Sequence, residues 1–434
     1  MNENAKWYRL DNAAKLYPSI KTSRWSSVYR LSVSLTEPID KALLERAADI
    51  ALKRTRAFSL SIKRGLFWFY FEQNSSAPEI YEDVLYPCSN IQPRLNNGLL
   101  FKLRYYQNRI ALEVFHSLSD GSGGMSFLKT VTAQYLELKY NIKIPAQYGV
   151  LDVNSQPDAE EMEDAYKKYA NLNRKRSRKE DAAFQCPGEP LPAGCLNLIT
   201  ARMPLDSLLE QAKKYKCSLT EYLVSVYIWA IYGIQCSLHR RQYKPVKISV
   251  PVNMRRFYPS RTLRNFSLFV NPGIDPGLGD YTFEEITRHV HYFMRYEINA
   301  KALNAQMAAN VGSERNPAVR IMPLFIKKFA LGMVYKMAGE SRFSGTLSNL
   351  GEIKFPEEMQ KYITGACFML GRGRVNSTAA AMLSYNNTVT LTFTRSVKEA
   401  EVERRFFTFL VKNGIHVKIE SNNLEEEKAD VILR

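Results

Sequence analysis

The chain has 434 residues, of which 45% are hydrophobic and 12% are aromatic. This composition excludes a disordered protein. A chain of this length is too long for a single ordinary hydrophobic core, so we expect two domains or two subdomains that share an interface. The formal net charge of +17 indicates an anionic partner. Charge alone leaves nucleic acid, anionic lipid and a phosphorylated small ligand open.

Cysteine usage and hydropathy bear on the compartment. Six scattered cysteines without a CxxC pair are typical of reduced thiols in a cytosolic protein, and MNENAKWYRLD lacks the apolar run of a signal peptide. The apolar stretch 219–238 approaches the length of a membrane span, but it contains Glu221 and Gln235. Ser218 and Glu221 have the spacing of a capping box, so we predict a buried helix, no membrane span and a cytosolic location.

The first third of the chain alternates strand and helix patterns. Residues 26–36 predict a strand, and DKALLERAADIALKRT predicts an amphipathic helix with its apolar positions on one face. Two hairpins follow, FSLSIKRGLFWFYFEQN with a turn near Arg64–Gly65 and LLFKLRYYQNRIALEVF with a turn at Gln107–Asn108.

His116 directly follows the return strand of the second hairpin. By simple alternation it shares the parity of Ile110, Leu112 and Val114, so we expect it to emerge from the buried face of the sheet, where an imidazole is partly desolvated. A glycine-rich turn comes next, and GGMSFLKTVTAQYLELKY predicts a helix from Gly123 onward.

Residues 152–195 interrupt this pattern with an acidic stretch, the basic run NRKRSRKED and the segment CPGEPLPAGC. Such a composition indicates a polar connector, and we predict subdomains over 1–175 and 176–434. The basic run is accompanied by no RNA-binding signature, so we expect a solvated linker and no nucleic-acid partner.

The second half repeats the mixture of elements. It predicts a strand near 196–203, helices at 205–216 and 218–238, and a strand in KPVKISVPVNMRR. A helix around 282–310, a strand and loop in FSGTLSNLGEIKFPEEM and a hairpin turning at Asn386–Asn387 follow. Two α+β halves on either side of a polar linker favour a ligand cleft between them.

Residues His116–Gly121 read H-S-L-S-D-G. This segment resembles the HxxxDG active-site motif of the chloramphenicol acetyltransferase and condensation-domain superfamily, as does the order of hairpin strand, histidine, glycine turn and helix. The segments PVNMRRFYPSRTLRNFSLFVNPG and GTLSNLGEIKFP further resemble the alcohol acetyltransferase branch. The resemblance extends over roughly residues 5–420.

The resemblance implies an α+β fold of two acetyltransferase-like subdomains in a V-shaped arrangement with a central tunnel. Acyl-CoA, such as acetyl-CoA, would enter from one side as co-substrate and a small-molecule alcohol or amine acceptor from the other. His116 would act as general base in a direct transfer without a covalent acyl-enzyme or a bound cofactor. Imidazole suits this role because its ordinary pKa lies near the working pH.

The resemblance also assigns roles to residues around the motif. Asp120 would be structural, in an ion pair with Arg255 or Arg256 of the second subdomain. Gly121 and the glycines that follow would allow close approach to substrate and positive φ in the turn. Ser348 lies where chloramphenicol acetyltransferases carry a hydroxyl that serves the tetrahedral intermediate, with a turn-capping serine as the alternative.

The phosphate groups of coenzyme A require cationic partners. Arg372 and Arg374 in GRGR are our candidates, because arginine forks fit phosphate. The arginines of residues 255–264 are a second set of candidates, and a generally basic surface is the alternative explanation.

Two departures distinguish this chain from peptide-forming condensation domains. Phe115 stands where many of them carry the first of two histidines, and LGRGRVNSTAAAMLSYNN occupies the position of their DFGWG signature. These departures favour a stand-alone acyltransferase, with an idle scaffold or a condensation enzyme served by a carrier protein in trans as alternatives. No metal is expected, because the other histidines lack ligand spacing: His239, His289, His291 and His416.

Overall fold

The structure is a computed structural model that describes residues 7–22, 25–174, 180–238 and 243–422. Its strands are β1 (Trp7–Arg9), β2 (Val28–Leu35), β3 (Leu60–Arg64), β4 (Phe69–Gln73), β5 (Ile80–Glu82), β6 (Phe101–Tyr106), β7 (Arg109–Phe115), β8 (Asn197–Pro204), β9 (Val246–Asn253), β10 (Ser267–Val270), β11 (Gly273–Ile274), β12 (Gly345–Glu352), β13 (Ile363–Leu370), β14 (Thr378–Tyr385), β15 (Thr388–Arg395) and β16 (Lys418–Ser421). Its helices are α1 (Leu16–Ile20), α2 (Lys41–Arg54), α3 (Gly121–Tyr140), α4 (Ala165–Tyr169), α5 (Leu205–Lys214), α6 (Leu219–Ser237), α7 (Phe283–Glu297), α8 (Ala300–Arg315), α9 (Pro317–Ile321), α10 (Leu324–Ala338), α11 (Glu357–Gln360) and α12 (Glu401–Lys412). The predicted α+β class is confirmed.

The first half builds a five-stranded sheet in the order β13-β2-β7-β6-β5. Helices α2 and α3 pack against each other, and α3 lies on β2 and β7. Asp40 caps α2 by accepting a hydrogen bond from the Leu43 N–H, which satisfies one of the free donors of its first turn. The strands β1, β4 and β3 form a separate small sheet. The amphipathic helix and both hairpins occur where the sequence pattern predicts them.

The second half builds a larger sheet in the order β10-β9-β12-β14-β15-β8-β16, with β11 paired to β9. Helix α6 lies in the core beside α5, α7 and α12. Ser218 and Glu221 form the predicted capping box at its start. In the described part of the chain, no helix by itself has both the length and the apolar composition of a membrane span. Helices α5 and α6 taken together have them, but the chain bends by 78° between these two helices.

Two sequence-based expectations about helices need correction. Helix α3 begins at Gly121 and not at Gly123. The single helix expected around 282–310 is two helices, because the side chain of Asn299 accepts hydrogen bonds from the Lys301 and Ala302 N–H groups and starts α8 anew. In the connector, Glu161 of the acidic stretch forms a buried bidentate ion pair with Arg54 of α2. The solvated linker predicted for the basic run NRKRSRKED stays a prediction, because residues 175–179 of that run lie outside the described residues.

Strand β13 joins the two halves of the chain. It comes from the second half but pairs antiparallel with β2 of the first sheet, from Leu370 opposite Tyr29 to Ile363 opposite Leu35. The predicted boundary between residues 175 and 176 stays a prediction, and it falls at residues 175–179, which the structure does not describe. Because β13 belongs to the second half of the chain, the second half supplies the last strand of the five-stranded sheet.

Candidate active site

His116 lies one residue beyond β7, at one end of the five-stranded sheet. Its backbone N–H donates to the Ser27 carbonyl (2.8 Å), which extends the pairing of β7 with β2. Its ring stacks on Tyr17 of α1, with centroids 4.6 Å apart, and meets the edge of Tyr29 of β2 at 5.2 Å. The two tyrosines hold the plane of the imidazole, and the residue is half-buried.

Asn265 determines which ring nitrogen of His116 carries the proton. Its Oδ1 lies 3.0 Å from His116 Nδ1, and its Nδ2 faces the Asp11 carboxylate at 3.4 Å and the Ser117 carbonyl at 3.5 Å. Reversing the amide would point its oxygen at two other oxygens, so the oxygen must face the ring. Nδ1 therefore donates, and the lone pair of the neutral imidazole is on Nε2.

Asp11 anchors this arrangement from the amino-terminal segment. Its side chain is fully buried, accepts from the Ala14 N–H at 2.7 Å and lies 3.4 Å from the guanidinium of Arg264. Burial raises the pKa of Asp11 to about 6, because the ionised carboxylate is desolvated. Asp11, Asn265 and His116 thus form one hydrogen-bonded series.

The environment of His116 favours its neutral form. Burial lowers the pKa of its imidazole, because a desolvated imidazolium is unfavourable. The contact of the ring with its own backbone carbonyl, the charge of Asp120 and the Asn265 hydrogen bond act in the opposite direction and do not reverse the shift. At neutral pH the site therefore holds an imidazole with an available Nε2 lone pair.

Asp120 joins the subdomains and makes no hydrogen bond to His116. Its Oδ1 caps α3 by accepting from the Gly123 N–H, and its Oδ2 accepts from Arg255 Nη1 and from the Phe266 N–H, both at 2.8 Å. The other donors of Arg255 bind the carbonyls of Thr262 and Arg264. Arg255 is therefore the ion-pair partner of Asp120, and the exposed Arg256 is not.

The glycines after Asp120 serve packing. They lie in the first turn of α3 without positive φ, so the expected left-handed turn is wrong. A Cβ on Gly121 would lie 2.9 Å from Leu350 of β12, and one on Gly123 would lie 2.1 Å from the Leu263 carbonyl oxygen. These glycines let α3 approach the second subdomain.

Ser348 lies on β12, whose residue Leu350 meets Gly121. Alternation along the strand places Ser348 on the face opposite Leu347, which enters the second core. Beyond Ser348 the pairing of β12 with β14 shifts register between Asn349 and Glu352. The following Asn349 donates to Thr220 of α6 and accepts from the Gly351 N–H, so it holds the end of the strand.

Arg372 and Arg374 follow the last residue of β13, Leu370, which pairs with Tyr29 of β2. The neighbouring Val28 of β2 pairs with Phe115, the last residue of β7 before His116. The two arginines and His116 therefore lie at the same end of the sheet. Both arginines are half-buried, and Arg372 Nη1 lies 3.4 Å from the carbonyl oxygens of residues 191 and 192. In the second set of candidates, Arg255 and Arg264 are engaged inside the fold.

Sequence reasoning did not single out Asp11, Tyr17 or Asn265. Asn265 is 149 positions from His116 and follows no motif, so only the fold brings the two together. Within the described residues no group of three or more His, Cys, Asp or Glu could hold a metal ion. His291 instead contacts Glu221, and His239 lies outside the described residues.

Comparison with known protein families gives no match, and no curated protein matches the sequence. Solved structures do match. TRI101 of Fusarium sporotrichioides, in complex with coenzyme A and T-2, is 11% identical with a TM-score of 0.63, covering 96% of this chain and 100% of that one. TRI3 trichothecene 15-O-acetyltransferase of the same organism is 12% identical with a TM-score of 0.60, covering 94% of each.

Condensation domains match over the same extent. A starter condensation domain of rhizomide synthetase, in complex with C8-CoA and Leu-SNAC, is 14% identical with a TM-score of 0.58 and covers 93% of each chain. The chain therefore has the fold shared by these acetyltransferases and condensation domains, and the predicted fold is confirmed.

Proposed function

We propose that this protein transfers an acyl group from coenzyme A to an alcohol or amine acceptor, with His116 as general base. The observation that carries the proposal is the 3.0 Å contact between Asn265 Oδ1 and His116 Nδ1 beside two aromatic rings, from which we infer that the lone pair of the neutral imidazole is on Nε2. The solved structures of the same fold that contain coenzyme A or an acyl-CoA support this donor class.

The reaction follows from that lone pair. Nε2 of His116 takes the proton of the acceptor hydroxyl or amine while the acceptor oxygen or nitrogen attacks the thioester carbonyl. The tetrahedral intermediate collapses by breaking the carbon–sulfur bond, and the proton on Nε2 passes to the leaving thiolate. The products are the acylated acceptor and free coenzyme A, and the histidine returns to its starting state.

Other residues have supporting roles in this proposal. Asp120 and Arg255 hold the two subdomains at the site, and Ser348 would donate to the oxyanion from the face of β12 opposite Leu347. Arg372 and Arg374 would meet the phosphates of coenzyme A from the end of the sheet that carries His116. The predicted central tunnel and the cytosolic location stay predictions.

The test measures release of free coenzyme A from acetyl-CoA and longer acyl-CoA donors with a panel of alcohols and amines. We expect turnover by the wild type and a loss of about 10²- to 10⁴-fold in His116→Ala, the usual contribution of a general base. His416→Ala, the same change at an exposed histidine, is the matched control and should retain activity.

Equal rates in wild type and His116→Ala would refute the role of His116. Turnover only with acyl groups on a carrier protein would instead establish the condensation alternative. Absence of turnover with both acyl-CoA and carrier-bound acyl groups, together with no rise in melting temperature on addition of any acyl-CoA, would establish the idle scaffold.

A further inference from the structure

An exposed apolar surface lies where the tip of the β3–β4 hairpin meets α9 and α10. We call it the apolar face. Its large side chains each expose between 42 and 73% of their area to solvent. They are Leu66, Phe67, Ile321, Phe325, Ile326, Phe329 and Met333.

The hairpin tip and α10 form one continuous surface. The Leu324 N–H donates to the Leu66 carbonyl, and Lys327 Nζ donates to the Phe67 carbonyl, both at 2.9 Å. The same ammonium lies 3.7 Å from the ring centroid of Trp68. Leu324 and Lys327 thus face the protein. The opposite side of α10, which carries the phenylalanine side chains, faces solvent.

The spacing along α10 aligns these side chains. Phe325, Phe329 and Met333 are four residues apart and therefore lie on one side of the helix. Phe329 exposes 71% and Phe325 65% of its area, whereas single exposed apolar residues elsewhere are ordinary. A row of such side chains on the outer side of an α-helix is the arrangement found in helices that lie in a membrane interface.

The charged residues within the two segments that form the apolar face are all cationic. Residues 315–338 contain five Lys or Arg and no Asp or Glu, and residues 64–71 contain one Arg and no acidic residue. About one residue in ten of the whole chain is acidic. Exposed Arg64, Arg320 and Lys328 border the apolar side chains, so the surface presents cations beside an apolar strip.

We propose that the apolar face seats this protein on the surface of an anionic lipid bilayer. The phenylalanine and aliphatic side chains would enter the boundary between headgroups and acyl chains, and the flanking cations would meet lipid phosphates. The net charge of +17 favours the same approach. Helix α10 packs on α1, whose Tyr17 stacks on His116, so two adjoining helices link this surface to the candidate active site.

The test is co-sedimentation of the full chain with phosphatidylcholine vesicles and with phosphatidylcholine–phosphatidylglycerol vesicles. We expect binding to the anionic vesicles that weakens with added salt. The double variant Phe325→Ser/Phe329→Ser should bind about tenfold more weakly or worse, because it removes the side chains that enter the bilayer. Arg320→Glu/Lys328→Glu should lose the preference for anionic vesicles.

The control Leu95→Ser/Leu278→Ser removes two equally exposed leucines outside the apolar face and should bind as the wild type does. Wild-type protein that stays in the supernatant with anionic vesicles would overturn the proposal, as would equal binding by the phenylalanine variant. Self-association that Phe325→Ser/Phe329→Ser abolishes, without vesicle binding, would show an interface between copies instead. None of these outcomes depends on acyl transfer.

Discussion

At the scale of single residues, His116 is held by side chains from two distant parts of the chain, the amino-terminal segment and the segment around Asn265. Tyr17 stacks on its ring, Asn265 accepts from its Nδ1, and Asp11 holds the Asn265 amide from behind. Asn265 lies in the same short segment of the second half as Arg255, which forms the ion pair with Asp120. The orientation of His116 therefore depends on correct docking of the two subdomains.

The lowered pKa of His116 predicts the shape of the pH–rate profile. Only the neutral imidazole can act as base, so kcat/KM should be constant near neutrality and fall with decreasing pH through a pKa below about 6.5, the value of an unperturbed histidine. Asp11, whose pKa burial raises to about 6, titrates in the same range. The profile of Asp11→Asn separates the two groups, because an acid limb that disappears in this variant would belong to Asp11.

Asn265 should affect the rate more than substrate binding. Asn265→Ala removes the acceptor that fixes the Nδ1–H tautomer, so we expect kcat to fall by about tenfold or more with little change in KM. That hydrogen bond also stabilises the imidazolium, so its loss should move the acid limb to lower pH. Asn310→Ala, on the exposed side of α8, is the control. If the acid limb of the pH–rate profile does not move in Asn265→Ala, then Asn265 has only a packing role.

Asp120 should be essential for stability. Asp120→Ala leaves the guanidinium of Arg255 without its partner inside the fold, at a cost of about 3–5 kcal/mol in the free energy of unfolding. The neighbouring exposed Arg256 provides the matched control, and Arg256→Ala should change the free energy by less than about 0.5 kcal/mol. Urea titration measures the free energy of unfolding of both variants. A similarly small decrease in both would show that the Asp120–Arg255 ion pair does not stabilise the fold.

At the scale of elements, the start of α3 lies close against the second half of the chain. A Cβ on Gly123 would lie 2.1 Å from the Leu263 carbonyl oxygen and 2.3 Å from Ser119 Oγ, and the backbone atom has little freedom to move. Gly123→Ala should therefore lower the free energy of unfolding by about 1–3 kcal/mol or more.

The control for that substitution is a helical glycine with open surroundings. Gly332 in α10 has no atom within 4 Å of its would-be Cβ, so Gly332→Ala should raise the free energy of unfolding by up to about 1 kcal/mol. Thermal unfolding of both variants gives the comparison. A Gly123→Ala protein as stable as the wild type would show that this contact relaxes at low cost.

Local patterns predicted most elements correctly because their signals are short-range. The hairpin turn at Gln107–Asn108 joins β6 to β7 as expected, and positive φ at Gln107 fits such a turn. The division of 282–310 at Asn299 was missed, because the apolar pattern continues through it and only the cap reveals the break. Strand β13 was not predicted, and its pairing with β2 was missed as well, since hydrophobic alternation indicates a strand but not its partner.

The candidate site was predictable only in part. The HxxxDG segment identifies His116 and Asp120, because their spacing is local. The choice of Arg255 over Arg256 needed the structure, since adjacent residues cannot be distinguished until a strand end and a 3₁₀ turn orient them. Asn265 and Asp11 lie in unremarkable sequence, and their role arises from three-dimensional proximity alone.

At the scale of the whole molecule, β13 makes the halves interdependent. Without it β2 would become an exposed edge of the five-stranded sheet, with unpaired backbone groups. Further contacts cross between the halves, including the Asp120–Arg255 ion pair and the Lys129 ammonium, which donates to the Lys354 carbonyl at 2.6 Å. Burial lowers the pKa of Lys129 to about 8, so this link weakens in alkaline solution.

This interdependence predicts a single cooperative unfolding transition. In Trp229→Phe the remaining tryptophans, Trp7, Trp25 and Trp68, all lie in the first half. Their fluorescence follows that half together with the contacts of Trp25 with Tyr335 and of Trp68 with Lys327, while far-ultraviolet circular dichroism follows the whole chain. The two urea curves should coincide, because the first sheet cannot keep β13 once the second half unfolds. Wild-type protein serves as the control for the substitution itself. Fluorescence and dichroism curves that separate would mean that the halves unfold independently and that β13 contributes little to coupling them.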